Sequence, residues 1–177
     1  MNEKTSQDIF TDKIKEHFEN FGIISAVSGL DREKFEKFYV LYTELIQWNK
    51  KINITAVTGE NEFIKKHILD SAFLFKILDK ENKTIMDIGS GAGFPGIVLN
   101  IMNPALNIVS IESIYKKCNF QKNISRKLNL HNFNCINMNI FSFNFDENLD
   151  AIRGLNYNYL YLKFCINGMC LYQLSQE

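Results

Sequence analysis

The sequence predicts an α/β fold: a doubly wound, mostly parallel sheet with an N-terminal helical extension and a shortened C-terminus. Three observations carry this. The stretch 85–96, Ile-Met-Asp-Ile-Gly-Ser-Gly-Ala-Gly-Phe-Pro-Gly, reads as strand, glycine turn and helix. Apolar Ile85, Met86 and Ile88 suit a buried strand, the glycines permit positive φ, and Pro95 suits a helix's first position because its missing donor costs nothing there. From this stretch to about residue 136, strand-like and helix-like segments alternate, the mark of parallel pairing. The first 80 residues instead space their apolar side chains at the helical period. A chain of 177 residues fits one domain, read as a helical part over 1–80 and a sheet-bearing core over 81–177.

Composition narrows the setting. Hydrophobic content of 46% against 23% charged residues is ordinary for a soluble fold, and no stretch is long and apolar enough to span a bilayer. Residues 1–10 lack an apolar signal region, so a cytoplasmic protein with no membrane association is expected. With 20 basic and 20 acidic residues, a nucleic-acid partner must be met by a local patch rather than a global field. Cys118, Cys135, Cys165 and Cys170 form no C-x-x-C pair and have no nearby His, so reduced, buried thiols are expected and no metal.

In chain order, Ile9, Phe10, Ile14, Phe18 and Phe21 fall on one side of a helix over 6–21, with Gly22 at its end. Asp31 caps a second helix running to about Trp48, whose stripe of Phe35, Phe38, Tyr39, Tyr42, Leu45 and Ile46 reads as core packing. Lys50 and Lys51 lead into Asn53-Ile54-Thr55-Ala56, where Asn and Thr can tie down a turn through side-chain-to-backbone bonds. A third helix over about 60–78 places Phe63, His67, Asp70 and Leu74 on neighbouring turns. His67 and Asp70 there are either a polar pair facing a ligand or a local bond that orients a half-buried imidazole. Beyond the glycine turn come a helix to about 102, a strand over 106–111, a helix over 115–128 and a strand over 133–136, with Pro104 at a bend. The last segments read as a short strand over 149–152, a helix over 157–165 and a terminal strand over 169–174.

Two ligands compete for the turn, whose amides are expected to point at whatever binds. Gly91-x-Gly93-x-x-Gly96 formally matches a dinucleotide site, which would make the protein an NAD-dependent oxidoreductase. Asp87 opposes this, because a carboxylate beside the turn repels a pyrophosphate but attracts the ammonium group of S-adenosylmethionine. Glu112, about twenty residues on at the end of the next strand, suits ribose hydroxyls in either case; its alternative role is a helix cap or a solvated strand end.

The order Asp87, Gly89, Gly91, Gly93 is that of Rossmann-like methyltransferases. Two further blocks, Trp48-Asn49-Lys50-Lys51-Ile52-Asn53-Ile54-Thr55-Ala56 and His67-Ile68-Leu69-Asp70-Ser71, precede it. Together the three resemble the bacterial 16S rRNA guanine-N7 methyltransferase family, also called glucose-inhibited division protein B, closely over about 41–130 and loosely beyond. The resemblance implies S-adenosylmethionine as cofactor, 16S rRNA of the small ribosomal subunit as partner, and methylation of guanine N7. It implies that Gly89 and Phe94, with Gly91 and Gly93 beside them, contact the cofactor, while Asp87 and Glu112 support its amino-acid and ribose ends. The adenine contacts align with Ile140 and Phe141, and Phe141 can stack on the base. Arg153 aligns with an arginine at the cofactor and substrate site, its other reading being a surface residue ending an edge strand.

No acid-base residue is expected, since the N7 lone pair needs no deprotonation. Substrate contacts are expected from His67, Asp70, Lys50 and Lys51, with Lys65 and Lys66 nearby. Lys116, Lys117, Lys122, Arg126 and Lys127 form a second basic set whose plainer reading is a solvated helix face. A monomer is expected. The alternative within the same family is a weakened or inactive relative that binds cofactor or RNA without turnover.

Overall fold

The computed structural model describes residues 4–23, 29–77 and 84–139 and the backbone of strands over 157–166 and 169–175. It divides into two compact units, Met1–Asp79 and Lys80–Glu177.

The first unit is helical. Helix α1, Ser6–Asn20, opens with a capping box in which the Thr5 hydroxyl accepts from the Asp8 amide and the Asp8 carboxylate accepts from the Thr5 amide. It closes at Gly22, whose φ of 65° lets the Ile23 amide reach back to the Phe18 carbonyl at 2.9 Å. Helix α2, Arg32–Ile52, is capped by Asp31, which accepts from the Lys34 amide. It runs a turn beyond the expected end near Trp48, so Lys50 and Lys51 are helical residues rather than a lead-in. Asn53 stops it in the left-handed region at φ 47°, and cations in a last turn suit the helix dipole. The following turn is tied down as expected, by Asn49 accepting from the Thr55 amide at 2.9 Å and Thr55 accepting from the Val57 amide at 3.1 Å.

The aromatic stripe is core. Phe10 of α1 stacks on Tyr42 of α2 with centroids 5.5 Å apart, and Tyr42 meets Phe63 at 5.2 Å. The expected single helix over 60–78 is instead a short α3, Glu60–Phe63, a π-helical segment, Ile64–Leu69, and α4, Asp70–Ile77. The apolar pairs explain the wide turn. Phe63 and Ile64, then Ile68 and Leu69, are all buried, and a separation of five matches the i→i+5 bonding of a π turn.

The second unit is a five-stranded sheet of order β3-β2-β1-β4-β5. Its strands are β1 Thr84–Ile88, β2 Asn107–Glu112, β3 Phe133–Asn137, β4 Tyr157–Ile166 and β5 Met169–Ser175. All pairs are parallel except β4 with β5. The expected helix over 157–165 is therefore a strand. Tyr157, Tyr159 and Tyr161 alternate along it, and pairing with β1 and β5 satisfies its backbone from both sides. The strand candidate at 149–152 lies outside the described residues.

Helices α5, Gly96–Met102, and α6, Tyr115–Lys127, follow β1 and β2. Pro95 sits one residue earlier than expected, at the N-cap of α5. One registered row crosses three strands, Asp87 to Ser110 to Cys135, and all three side chains are buried. Each meets a helix: Asp87 the Gly96 amide of α5, Ser110 the Gln121 side chain of α6, and Cys135 the Cys118 thiol of α6, with sulfurs 3.0 Å apart. Burial, then the Cys118 thiol, pushes the Cys135 thiol well above its ordinary range, so Cys135 stays a protonated, unreactive thiol. Because β1 lies between β2 and β4, the strand order turns at its carboxyl end, and open α/β sheets bind ligands at such a point.

Candidate cofactor site

At that end of β1 the chain enters the glycine turn. Gly89, Gly91 and Gly93 have φ of 71°, 62° and 90°, conformations that an L side chain resists. The turn hangs from β2, since the amides of Gly89 and Ser90 both donate to the Ile111 carbonyl, at 2.9 and 3.3 Å. Gly93 and Phe94 then donate to the Ser90 carbonyl, at 2.9 and 3.1 Å.

Two buried carboxylates complete the closure. Asp87 Oδ2 accepts from the Gly96 amide at 3.1 Å, and Glu112 Oε2 accepts from the Gly91 amide at 2.8 Å. Glu112 Oε1 takes the Ile114 amide at 2.7 Å, while its carbonyl receives the Asn137 side-chain amide at 2.8 Å. The expectation of spare amides aimed at a ligand is thus corrected. The amides of Gly89, Ser90, Gly91, Gly93, Phe94 and Gly96 all donate inside the protein. An anion cradle needs those donors. A turn that spends its amides on backbone carbonyls and two carboxylates instead suits a ligand that is cationic and rich in hydroxyls.

Behind the turn lies a polar triad that the sequence reading missed. The Gln121 amide nitrogen donates to Ser90 Oγ and to the Gly91 carbonyl, each at 2.8 Å. Ser110 donates to Gln121 Oε1 at 2.5 Å, and the two serine oxygens lie 2.6 Å apart. Each hydroxyl has one proton, so with Ser110 committed to Gln121, Ser90 donates to Ser110 and the ring closes. All three side chains are buried, so the ring pins turn, β2 and α6 together without an unsatisfied group. A signal existed. Gln121 falls in the buried phase of Cys118 and Ile124, and Ser110 interrupts the apolar run of β2; polar residues at such positions need partners.

Phe94 is buried beside the turn, and Gly91 has open space where a side chain would project. Elsewhere, His67 is half-buried with its ring edge-on to Phe63 at 5.5 Å, and Asp70 is exposed. Both belong to the helical unit, as do the exposed Lys50, Lys51, Lys65 and Lys66, the last paired with Glu62 at 2.9 Å. Lys116, Lys122, Arg126 and Lys127 are exposed on α6. Ile140, Phe141 and Arg153 lie outside the described residues.

Comparison with known proteins follows the same line. A family model described as GidB, rRNA small subunit methyltransferase G, matches residues 33–159. A ribosomal RNA small subunit methyltransferase G of Carboxydothermus hydrogenoformans is 43% identical over 125 residues, 71% of this chain and 51% of that protein. One of Clostridium botulinum is 44% identical over 104 residues, 58% of this chain and 44% of that protein. The chain thus spans about half the length of the curated relatives it matches. A Plasmodium falciparum protein-L-isoaspartate O-methyltransferase, solved with S-adenosyl-L-homocysteine, aligns over 97% of this chain and 89% of its own, with TM-score 0.51 and 16% identity. That likeness concerns the fold, an α/β methyltransferase sheet.

Proposed function

This chain belongs to the GidB family, rRNA small subunit methyltransferase G, and from that premise we propose that it methylates guanine N7 in 16S rRNA with S-adenosylmethionine as donor. The observation that carries the reading is the closed turn: the buried Glu112 and Asp87 carboxylates take the Gly91 and Gly96 amides, and backbone carbonyls take those of Gly89, Ser90, Gly93 and Phe94. Two carboxylates held against the turn attract a sulfonium and an ammonium group and repel a pyrophosphate, which disfavours the dinucleotide alternative.

When bound, S-adenosylmethionine supplies an electrophilic methyl that the N7 lone pair takes, the C–S electrons leaving with neutral S-adenosylhomocysteine and the positive charge passing to the base. The protein's work is alignment. Gly89, Gly91 and Gly93 let the backbone approach the ligand closely, and Phe94 packs beside it. The Asp87 carboxylate holds α5 through Gly96 while presenting negative charge to the ammonium end. Glu112 retains lone pairs for ribose hydroxyls beyond the two amides it binds. By the family resemblance, contacts to the adenine fall to Ile140 and Phe141 and a role toward cofactor and substrate to Arg153, while His67, Asp70, Lys50 and Lys51 meet the RNA. No residue removes a proton, so orientation and a fixed electrostatic field supply the rate. The protein acts as a cytoplasmic monomer on the small subunit or its RNA.

Isothermal calorimetry with S-adenosylhomocysteine tests the reading. Saturable one-to-one binding that is lost in Gly89→Arg is expected, and a folded protein that binds neither S-adenosylhomocysteine nor S-adenosylmethionine would sink it.

A further inference from the structure

The face of α6 is basic from end to end: Arg126 and Lys127 suit its last turn, but the first turn is charged against the helix's own stability. Lys116 and Lys117 stand in its first turn, where the dipole disfavours cations, and Lys122 and Arg126 repel one another at i,i+4. Helices α1 and α2 differ at their first turns and in their i,i+4 pairs. Helix α1 carries Asp8 in its first turn, and α2 carries Glu33 there, Lys50 and Lys51 in its last turn, and i,i+4 pairs Arg32–Glu36 and Lys37–Glu33. From Ser113 to Asn139 the sequence holds five Lys and Arg and no Asp or Glu, within a chain whose formal charge is zero. Local choices that cost stability cluster where a surface has other work.

The buried side of the same helix reaches the site. Gln121 bonds Ser90 and the Gly91 carbonyl, so the basic face is rigidly linked to the glycine turn. At the helix start, three residues beyond Glu112, Tyr115 is 66% exposed beside Lys116. An aromatic ring interleaved with a basic stripe matches single-stranded nucleic acid, which offers phosphates at regular spacing and bases to stack.

We propose that α6 is an RNA-docking surface: Lys116, Lys122, Arg126 and Lys127 track the phosphates of a single-stranded segment of the substrate RNA, and Tyr115 stacks a base beside the site. This rests on the methyltransferase reading and names which surface carries its RNA. Charge complementarity selects RNA as the occupant.

The test is filter binding of the full chain to small-subunit ribosomal RNA across a salt series, with S-adenosylhomocysteine calorimetry in parallel. For Lys116→Gln/Lys122→Gln/Arg126→Gln, the slope of log affinity against log salt should flatten by about 2 to 3, at roughly 0.7–0.9 per phosphate contact. Tyr115→Ala should weaken binding by about 5- to 100-fold with the slope unchanged. Both variants should keep wild-type circular dichroism and S-adenosylhomocysteine affinity. A folded triple variant with the wild-type salt slope would overturn the surface, as would a loss confined to anionic vesicles with RNA binding intact. Failure of the wild-type chain to bind S-adenosylhomocysteine would instead count against the methyltransferase reading, leaving the salt slope to decide the surface by itself.

Discussion

Glu112 clamps Gly91: one carboxylate oxygen takes the Gly91 amide at 2.8 Å and the other the Ile114 amide at 2.7 Å, so a single buried side chain joins the glycine turn to the start of α6. Glu112→Gln replaces one acceptor with an NH2 group that must face an N–H. It should cost about 1–3 kcal/mol in chemical denaturation and lower S-adenosylhomocysteine affinity. A neutral effect on both would show that the clamp contributes nothing.

The serine–glutamine ring should behave as one unit. Gln121→Leu leaves the buried Ser110 proton without its acceptor and the Gly91 carbonyl without its donor, and should destabilise by about 1–3 kcal/mol. Combined with Ser110→Ala, the loss should fall short of the sum by about 0.5–3 kcal/mol in a double-mutant cycle. Additive losses would mean that the three groups are neighbours rather than a closed ring.

Gly91 and Gly93 separate ligand access from folding. A Cβ on Gly91 meets nothing within 4 Å, so Gly91→Ala bears only the left-handed strain of about 1–2 kcal/mol and should remain folded. Its calorimetric affinity for S-adenosylhomocysteine should nonetheless fall at least ~10-fold, because the added methyl stands where the ligand approaches. A Cβ on Gly93 would lie within 2.9 Å of Ile97 Cγ1 and 3.2 Å of Gln121 Cγ at φ 90°, so Gly93→Ala should unfold more readily than Gly91→Ala.

Acid should loosen α1 through its cap. Bonds from the Thr5 hydroxyl and then the Thr5 amide hold the Asp8 carboxyl below its ordinary value of 3.8. A depressed folded-state pKa gives stability that is present above the ordinary value and lost as pH falls through the folded one. Thr5→Ala should therefore remove stability at neutral pH and flatten the acid limb of a thermal-unfolding series against pH; an unchanged acid limb would contradict this.

What could be read in advance follows from how locally each feature is determined. The run from Ile85 to Ile136 was legible because buried parallel strands are nearly continuous apolar segments punctuated by Gly and Pro. Asp31 and Gly22 marked helix ends through short-range chemistry. Strand β4 was not legible: Tyr157, Leu160 and Phe164 fall at the helical spacing i, i+3, i+7, and only pairing with β1 and β5 selects the strand. The π segment required noticing a five-residue apolar spacing rather than three or four. At the candidate site, the sequence singled out Asp87 and Glu112, but their bonding to Gly96 and Gly91 depends on where two strands end side by side. The same holds for Ser90, Ser110 and Gln121, which are 31 residues apart at the extremes.

Transfer of a tritiated methyl group from S-adenosylmethionine to small ribosomal subunits or their RNA, with the labelled base then mapped, tests the central claim most directly. Label on the N7 of one guanine of 16S rRNA, abolished by Gly89→Arg, is the predicted result. A folded chain that binds S-adenosylhomocysteine yet leaves the RNA unlabelled would contradict it.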